Sequence, residues 1–213
     1  MDRLRISEIF FSLQGETRTV GLPTVFVRLT GCPLRCNYCD TAYAFHGGTL
    51  LDMETILAEV EKYKAHYVTV TGGEPLAQKA CLALLSRLCD QGYEVSLETS
   101  GAMSIAEVDT RVIKVVDIKT PGSGEVAKNR WENLPYILAH DQIKFVICDE
   151  GDFVFAKEMM EKYSLTDLCE VLFSPSYQQM KPGELADWIL KDNLSVRLQI
   201  QLHKYLWGDV AGK

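Results

Sequence analysis

The chain has 213 residues, 47 % apolar and 24 % charged, which excludes disorder, collagen and coiled coil as overall descriptions. Its 22 basic and 29 acidic residues leave a formal charge of −7, with pI near 5.2. That balance argues against a broad electrostatic footprint for nucleic acid or an anionic membrane. No stretch approaches the roughly 18 apolar residues of a membrane span, and the start, MDRLRISEIFFSLQGE, has no apolar export segment. Seven cysteines then read as reduced thiols or a metal site of a cytoplasmic protein. No Gly/Ser or Pro linker divides the chain, so residues 1–213 are expected to form one domain.

The elements come in alternation. Thr24–Thr30 is a β-branched run and predicts a strand. Met53, Ile56, Leu57, Val60 and Tyr63 then show helical spacing behind Asp52, a good N-cap. Tyr67–Thr71 is the next strand, followed by a helical stripe at Cys81, Leu82, Leu85, Leu88 and Cys89 that Gly92 stops. Tyr93–Glu98, Val112–Ile118 and Ile143–Cys148 are further strands. Phe153, Ala156, Met160 and Tyr163 make a third helical stripe, Glu170–Ser174 a strand, and Leu185, Trp188 and Ile189 a fourth stripe after Pro182. Val196–Gln201 is the last strand expected. Strands alternating with helices predict a mainly parallel sheet, and in such α/β folds the chemistry sits at the C-terminal strand ends. The unusual residues cluster there, from Gly31, Gly72, Thr99, Lys119 and Ser174 onward.

Cys32, Cys36 and Cys39 stand as C-x3-C-x2-C just after the first of these strands. Arg35, Asn37 and Asp40 interleave them, which suits a packed core poorly. Zinc held by the three thiolates and His46 is one reading, although structural zinc usually takes two separated ligand pairs. An iron–sulfur cluster is the other. Such clusters normally take four thiolates, so three leave one iron open to a further molecule. Cys81, Cys89, Cys148 and Cys169 read instead as small buried hydrophobes.

The cysteine spacing, with Tyr38 before the last cysteine and Thr71-Gly72-Gly73-Glu74-Pro75 at the end of the next strand, resembles the radical S-adenosylmethionine (SAM) superfamily. The resemblance sharpens across Ser12-Leu13-Gln14-Gly15-Glu16, Gly21–Thr24, Phe26–Leu29, Cys39-Asp40-Thr41, Glu98–Gly101, Asp117-Ile118-Lys119 and Gln201–Tyr205. Together these segments resemble the 7-carboxy-7-deazaguanine synthase family. Thr17 departs from the pattern, standing where the family usually has glycine. The implied fold is a partial, open βα barrel of the radical SAM type, with about six βα units and an N-terminal strand extension.

The resemblance implies a 4Fe-4S cluster on Cys32, Cys36 and Cys39, and SAM cleaved reductively to a radical that abstracts hydrogen from C6 of 6-carboxy-5,6,7,8-tetrahydropterin. Ring contraction with loss of ammonia would yield 7-carboxy-7-deazaguanine on the route to queuosine, with SAM regenerated. Leu13, Gln14, Gly15, Arg28 and Thr99 would bind the substrate, Arg28 through its carboxylate. Tyr38, Cys39, Asp40, Gly72, Gly73, Glu74, Ser100, Gly101, Gln142, Ile143, Lys144, Ser174, Pro175 and Ser176 would line SAM. Thr41 would hold Mg2+ through its hydroxyl. His203 and Lys204 are candidate catalytic groups, and Lys119 is balanced between a structural and a site role. A homodimer and an electron donor such as flavodoxin or ferredoxin are the expected partners.

Overall fold

A computed structural model describes residues 3–208, 210 and 212. Its frame is one nine-stranded sheet in the order β3-β1-β2-β4-β5-β6-β7-β8-β9. The strands are β1 (Arg3–Leu13), β2 (Pro23–Leu29), β3 (Thr49–Asp52), β4 (Tyr67–Gly72), β5 (Glu94–Thr99), β6 (Ile113–Ile118), β7 (Gln142–Ile147), β8 (Glu170–Pro175) and β9 (Arg197–Leu198). From β2 through β9, omitting β3, every neighbouring pair is parallel. β1 and β3 add an antiparallel extension. β3 and β9 are the two ends of the sheet, so the barrel stays open.

The helices cover the outer face as the sequence patterns require. α1 (Met53–Glu61) starts where the Asp52 carboxylate accepts from Thr55 N at 2.8 Å, and buries Met53, Ile56, Leu57 and Val60. Each such side chain removed from water contributes about 1.5–3 kcal/mol. α2 (Cys81–Asp90) buries Cys81, Leu84, Leu85 and Leu88. Leu82 and Cys89 are only half-buried, so this stripe turns slightly from its expected setting. α3 (Glu150–Tyr163) is capped by Asp149, α4 (Leu165–Leu168) follows, and α5 (Pro182–Lys191) begins with proline at its first turn.

Three expectations change. β3 was not anticipated. The strand expected over Val196–Gln201 shrinks to Arg197–Leu198, because the chain turns at Gln201 into a further helix, α6 (Leu202–Trp207). Two crossovers lack an α-helix: β5 to β6 runs through turns, and β6 to β7 through short 3-10 segments between Pro121 and Tyr136. Of the four outlying cysteines, Cys81 and Cys169 are buried, while Cys89 and Cys148 are half-buried.

Candidate active site

The C-terminal strand ends frame a cleft of about 260 Å³. β2 delivers the cysteine loop into it, and the thiols of Cys32, Cys36 and Cys39 all line it. The interleaved polar residues tie this loop outward. Asn37 donates from its backbone to Ser123 O at 3.0 Å and from its side chain to Gly122 O at 3.1 Å. The Arg35 guanidinium lies 4.2 Å over the Phe45 ring. None of the three cysteines is in a disulfide, and Cys32 Sγ accepts only from Leu34 N, at 3.5 Å. Burial pushes the Cys36 thiol up to about 11, with Lys119 pulling the other way, and raises Cys32 as well. Thiolates there call for a cation among them. Among the described residues, no three His, Cys, Asp or Glu side chains converge tightly enough for a single metal ion. Three thiols on one loop lining one cleft fit a cluster held through three of its irons.

β4 ends in Gly72-Gly73. A Cβ on Gly72 would come within 2.2 Å of Leu29 O, and one on Gly73 within 2.2 Å of Gly31 O and 2.8 Å of Cys32 Cβ. The glycines are therefore needed first for packing, Gly72 against the end of β2 and Gly73 against the cysteine loop. Glu74 lies beneath, fully buried. Its carboxylate accepts from Thr99 Oγ1 at 2.9 Å, Leu76 N at 3.0 Å, Ser100 N at 2.8 Å, and the Ser100 hydroxyl. It locks the ends of β4 and β5 together.

Because β1 runs antiparallel to β2, its last residue Leu13 pairs with Pro23 at β2's start. The Gln14–Thr17 loop thus enters the barrel from the end opposite the cysteine loop. Gln14 is 2 % exposed. Its amide donates to Thr69 Oγ1 at 3.1 Å and Glu98 Oε1 at 3.4 Å, and accepts from Glu16 N at 3.2 Å. Glu16 pairs with Lys144; burial lowers the Lys144 pKa, but the Glu16, Asp117 and Glu98 carboxylates together raise it. Asp117 pairs with Lys119 at 2.9 Å, and the Lys119 ammonium lies 5.7 Å from the Tyr38 ring centre. Arg28 donates from Nε to Glu8 Oε1 at 2.7 Å, and Tyr43 OH donates to the same oxygen at 2.7 Å.

The C-terminal segment reaches the same cleft. Leu202 N donates to Gly15 O at 2.9 Å, and Lys204 Nζ pairs with Asp40 Oδ2 at 2.9 Å. The Asp40 carboxyl stays well below its ordinary range, because Lys204, Thr41 and Gln201 outweigh its burial. Burial holds His203 below 6.5, hence neutral at physiological pH.

A model of the radical SAM superfamily matches residues 26–114. A 7-carboxy-7-deazaguanine synthase of Koribacter versatilis is 43 % identical over 96 % of this chain and 97 % of its own. One from Chlorobaculum tepidum is also 43 % identical, over 98 % and 96 %. The chain belongs to the 7-carboxy-7-deazaguanine synthase family. Its fold superposes on the crystal structure of QueE from Escherichia coli with TM-score 0.77, at 24 % identity over 93 % of this chain and 94 % of that one.

The family's segments converge: Leu13, Gln14, Gly15, Arg28, Tyr38, Asp40, Thr41, Gly72, Gly73, Thr99, Ser100, Lys119, Lys144, Ser174, Pro175, Ser176, His203 and Lys204 join the cysteines around the cleft. Four expected SAM contacts do not line it. Glu74 is spent on the β5 turn. Gly101 lies behind it, against Val116. Gln142 and Ile143 sit at the start of β7 rather than its end. The Gln142 amide is taken up by Arg18 N at 3.0 Å and by Glu170, and Ile143 is fully buried. Gln14 lines the cleft, but its hydrogen bonds are consumed inside the protein. Sequence reasoning gave no role to Glu8, Glu16 or Glu98. Glu98 did carry a signal: with Ser96 it alternates with buried Val95 and Leu97 on β5, which marks an inward polar face.

Proposed function

We propose that this chain contracts the ring of 6-carboxy-5,6,7,8-tetrahydropterin to 7-carboxy-7-deazaguanine with loss of ammonia, as a lyase of deazapurine and queuosine biosynthesis. The observation carrying this reading is that the C-x3-C-x2-C thiols share one cleft with a guanidinium held by its Nε edge. That grip leaves the terminal nitrogens of Arg28 for a substrate carboxylate, which matches them bidentately. Cys32, Cys36 and Cys39 would hold the 4Fe-4S cluster. When bound, the cluster and SAM supply the one-electron chemistry that starts the reaction.

The protein's own residues orient and enclose. Tyr38, Asp40, Gly72, Gly73, Lys144, Ser174 and Ser176 form the SAM side, with Glu74, Gly101, Gln142 and Ile143 supporting it from behind. Leu13, Gly15, Arg28 and Thr99 form the substrate side. Gln14 serves the substrate by fixing neighbouring groups. The Thr41 hydroxyl, which donates to Asp40 Oδ1 at 2.9 Å, would turn to Mg2+ once substrate oxygens complete the site. His203 and Lys204 close the cleft from the C-terminal side.

The whole chain acts as one domain in this reading. The enzyme needs a reductant, for which flavodoxin or ferredoxin is the expected class. A homodimer is supported by the prevalence of two-fold oligomers, and a cytoplasmic setting by seven unpaired thiols. Among the described residues no helix is long and apolar enough to cross a membrane.

The test is anaerobic turnover by the reconstituted protein with SAM, reductant, Mg2+ and 6-carboxytetrahydropterin. Formation of 7-carboxy-7-deazaguanine without stoichiometric loss of SAM is the expected result. Cleavage of SAM without that product would keep the superfamily chemistry and discard the substrate.

A further inference from the structure

The three cysteines of the loop are held from two sides of the barrel. Cys32 belongs to the β4 side: Glu74 N donates to Gly31 O at 2.8 Å, and a Cβ on Gly73 would come 2.8 Å from Cys32 Cβ. Cys36 belongs to the turn that follows β6, and its two neighbours carry the ties. Arg35 N donates to the Glu125 carboxylate, Asn37 N to Ser123 O at 3.0 Å, and Asn37 Nδ2 to Gly122 O at 3.1 Å. Cys39 N donates back to Cys36 O at 3.2 Å, so Cys36 and Cys39 form one unit fixed to that turn.

The turn is itself clamped. Ser123 Oγ donates to Thr120 O at 2.6 Å and accepts from Glu125 N at 3.0 Å, and Thr120 Oγ1 donates to Val146 O on β7 at 2.9 Å. The deepest anchor is Asp152, in the first turn of α3 and 1 % exposed. Its carboxylate accepts from Gly122 N at 2.8 Å and from Cys148 N at 3.0 Å. A Cβ on Gly122 would lie 2.5 Å from Asp152 Oδ2, so the turn rests directly on that carboxylate. Hydrogen bonds therefore lead from Asp152 through Gly122 and Asn37 to the segment carrying Cys36 and Cys39.

We propose that Asn37 and Asp152 are positioning residues of the cluster, setting where Cys36 and Cys39 stand relative to Cys32 before any iron arrives. The inference rests on the three-cysteine ligand set and not on the substrate. Thiolates offered at fixed separations hold a cluster more tightly than thiolates on a loop free to spread, because less freedom is lost on binding. Asn37 is exposed, so the core does not need its side chain. The hydrogen bond that its amide donates goes to the turn.

The experiment follows loss of iron to a ferrous-iron chelator from the anaerobically reconstituted protein, beside thermal melts of the protein before reconstitution. Asn37→Ala should lose iron about tenfold faster than the wild type, at an unchanged Tm. Asn37→Asp keeps the shape but sets an acceptor against Gly122 O, and should lose iron at least as fast as Asn37→Ala. Asp152→Asn should also speed the loss. The double variant should fall well short of the product of the two single effects, because both act through Gly122. Wild-type release from Asn37→Ala or Asn37→Asp would overturn the assignment, and so would faster release matched by a lower Tm in Asn37→Ala, the mark of general loosening. Fully multiplicative effects would overturn the route from Asp152. A wild type that takes up no cluster would overturn the functional reading, whereas a wild-type cluster with equal release from the variants would overturn the positioning roles alone.

Discussion

The imidazole of His203 occupies the space that a side chain on Gly15 would need: a Cβ at Gly15 would lie 2.0 Å from His203 Nδ1. The Gly15 carbonyl accepts from Leu202 N at 2.9 Å, so two segments nearly the whole chain apart are locked by one missing methyl group. Gly15→Ala should push His203 and the start of α6 off the cleft. Overpacking of this kind costs about 1–3 kcal/mol. Turnover should fall and the C-terminal segment should become more sensitive to protease, while cluster absorbance stays intact. Unchanged protease sensitivity would show that the contact carries no weight.

The cysteine loop separates roles cleanly. Cys36→Ala should abolish the absorbance of the reconstituted cluster, and the protein should remain folded, because the half-buried thiol supports no packed core. Iron and sulfide analysis beside a thermal melt checks both halves. A full cluster in the variant would remove Cys36 from the ligand set.

Much of this arrangement was legible in the chain. The β-branched runs announced β2 and β4 to β8, and Asp52, Gly92 and Pro182 marked helix boundaries, because period and capping are local signals. β3 is four residues long, its first two exposed and its last two half-buried, so it shows no alternation to read. α6 is six residues long with no side-chain cap, too short for a helical stripe. The internal hydrogen bonds of Gln14 were not legible for a different reason. Its partners Thr69 and Glu98 lie 55 and 84 residues away, and no local rule shows that a turn glutamine is consumed from across the barrel. Thr17 was visible as a departure, and the structure shows its cost: it holds a left-handed φ of 68°, a conformation that favours glycine.

Glu8 should govern how Arg28 meets a carboxylate. It grips Nε while Tyr43 OH shares the same oxygen, leaving the guanidinium little freedom to rotate. Glu8→Gln weakens a charge-assisted bond to a neutral one. Affinity for 6-carboxypterin should drop several-fold, and affinity for pterin without the carboxylate should not change. A parallel loss for both ligands would point to general damage. Arg28→Lys should cost more, since an ammonium cannot reproduce the two-pronged geometry.

At the opposite end of the barrel, Lys114 and Asp141 are paired at 2.9 Å with side-chain exposures of 2 % and 0 %. Asp141 also accepts from Lys114 N and Leu138 N, each at 2.8 Å. Asp141→Ala would strand a buried ammonium and two backbone donors. Losing one partner of a buried pair costs about 3–5 kcal/mol, or about 6–20 °C in Tm for a chain of this size. Replacing both residues with apolar ones should recover part of the loss. Activity per folded molecule should not change, since neither residue lines the cleft.

The C-terminal closure should loosen in mild acid, and the sign follows from His203. Burial lowers its pKa from 6.5, so the unfolded chain binds a proton before the folded one does. The docked segment is therefore fully stable above the ordinary value and loses stability as pH falls below it, until the folded pKa is passed. The Lys204–Asp40 pair adds no slope in that range, because the Asp40 carboxyl ionises far lower. Protease protection of the C-terminal segment should decline between about pH 7 and pH 5. His203→Gln, which cannot titrate, should flatten the profile. A decline that persists in this variant would move the sensitivity to another group.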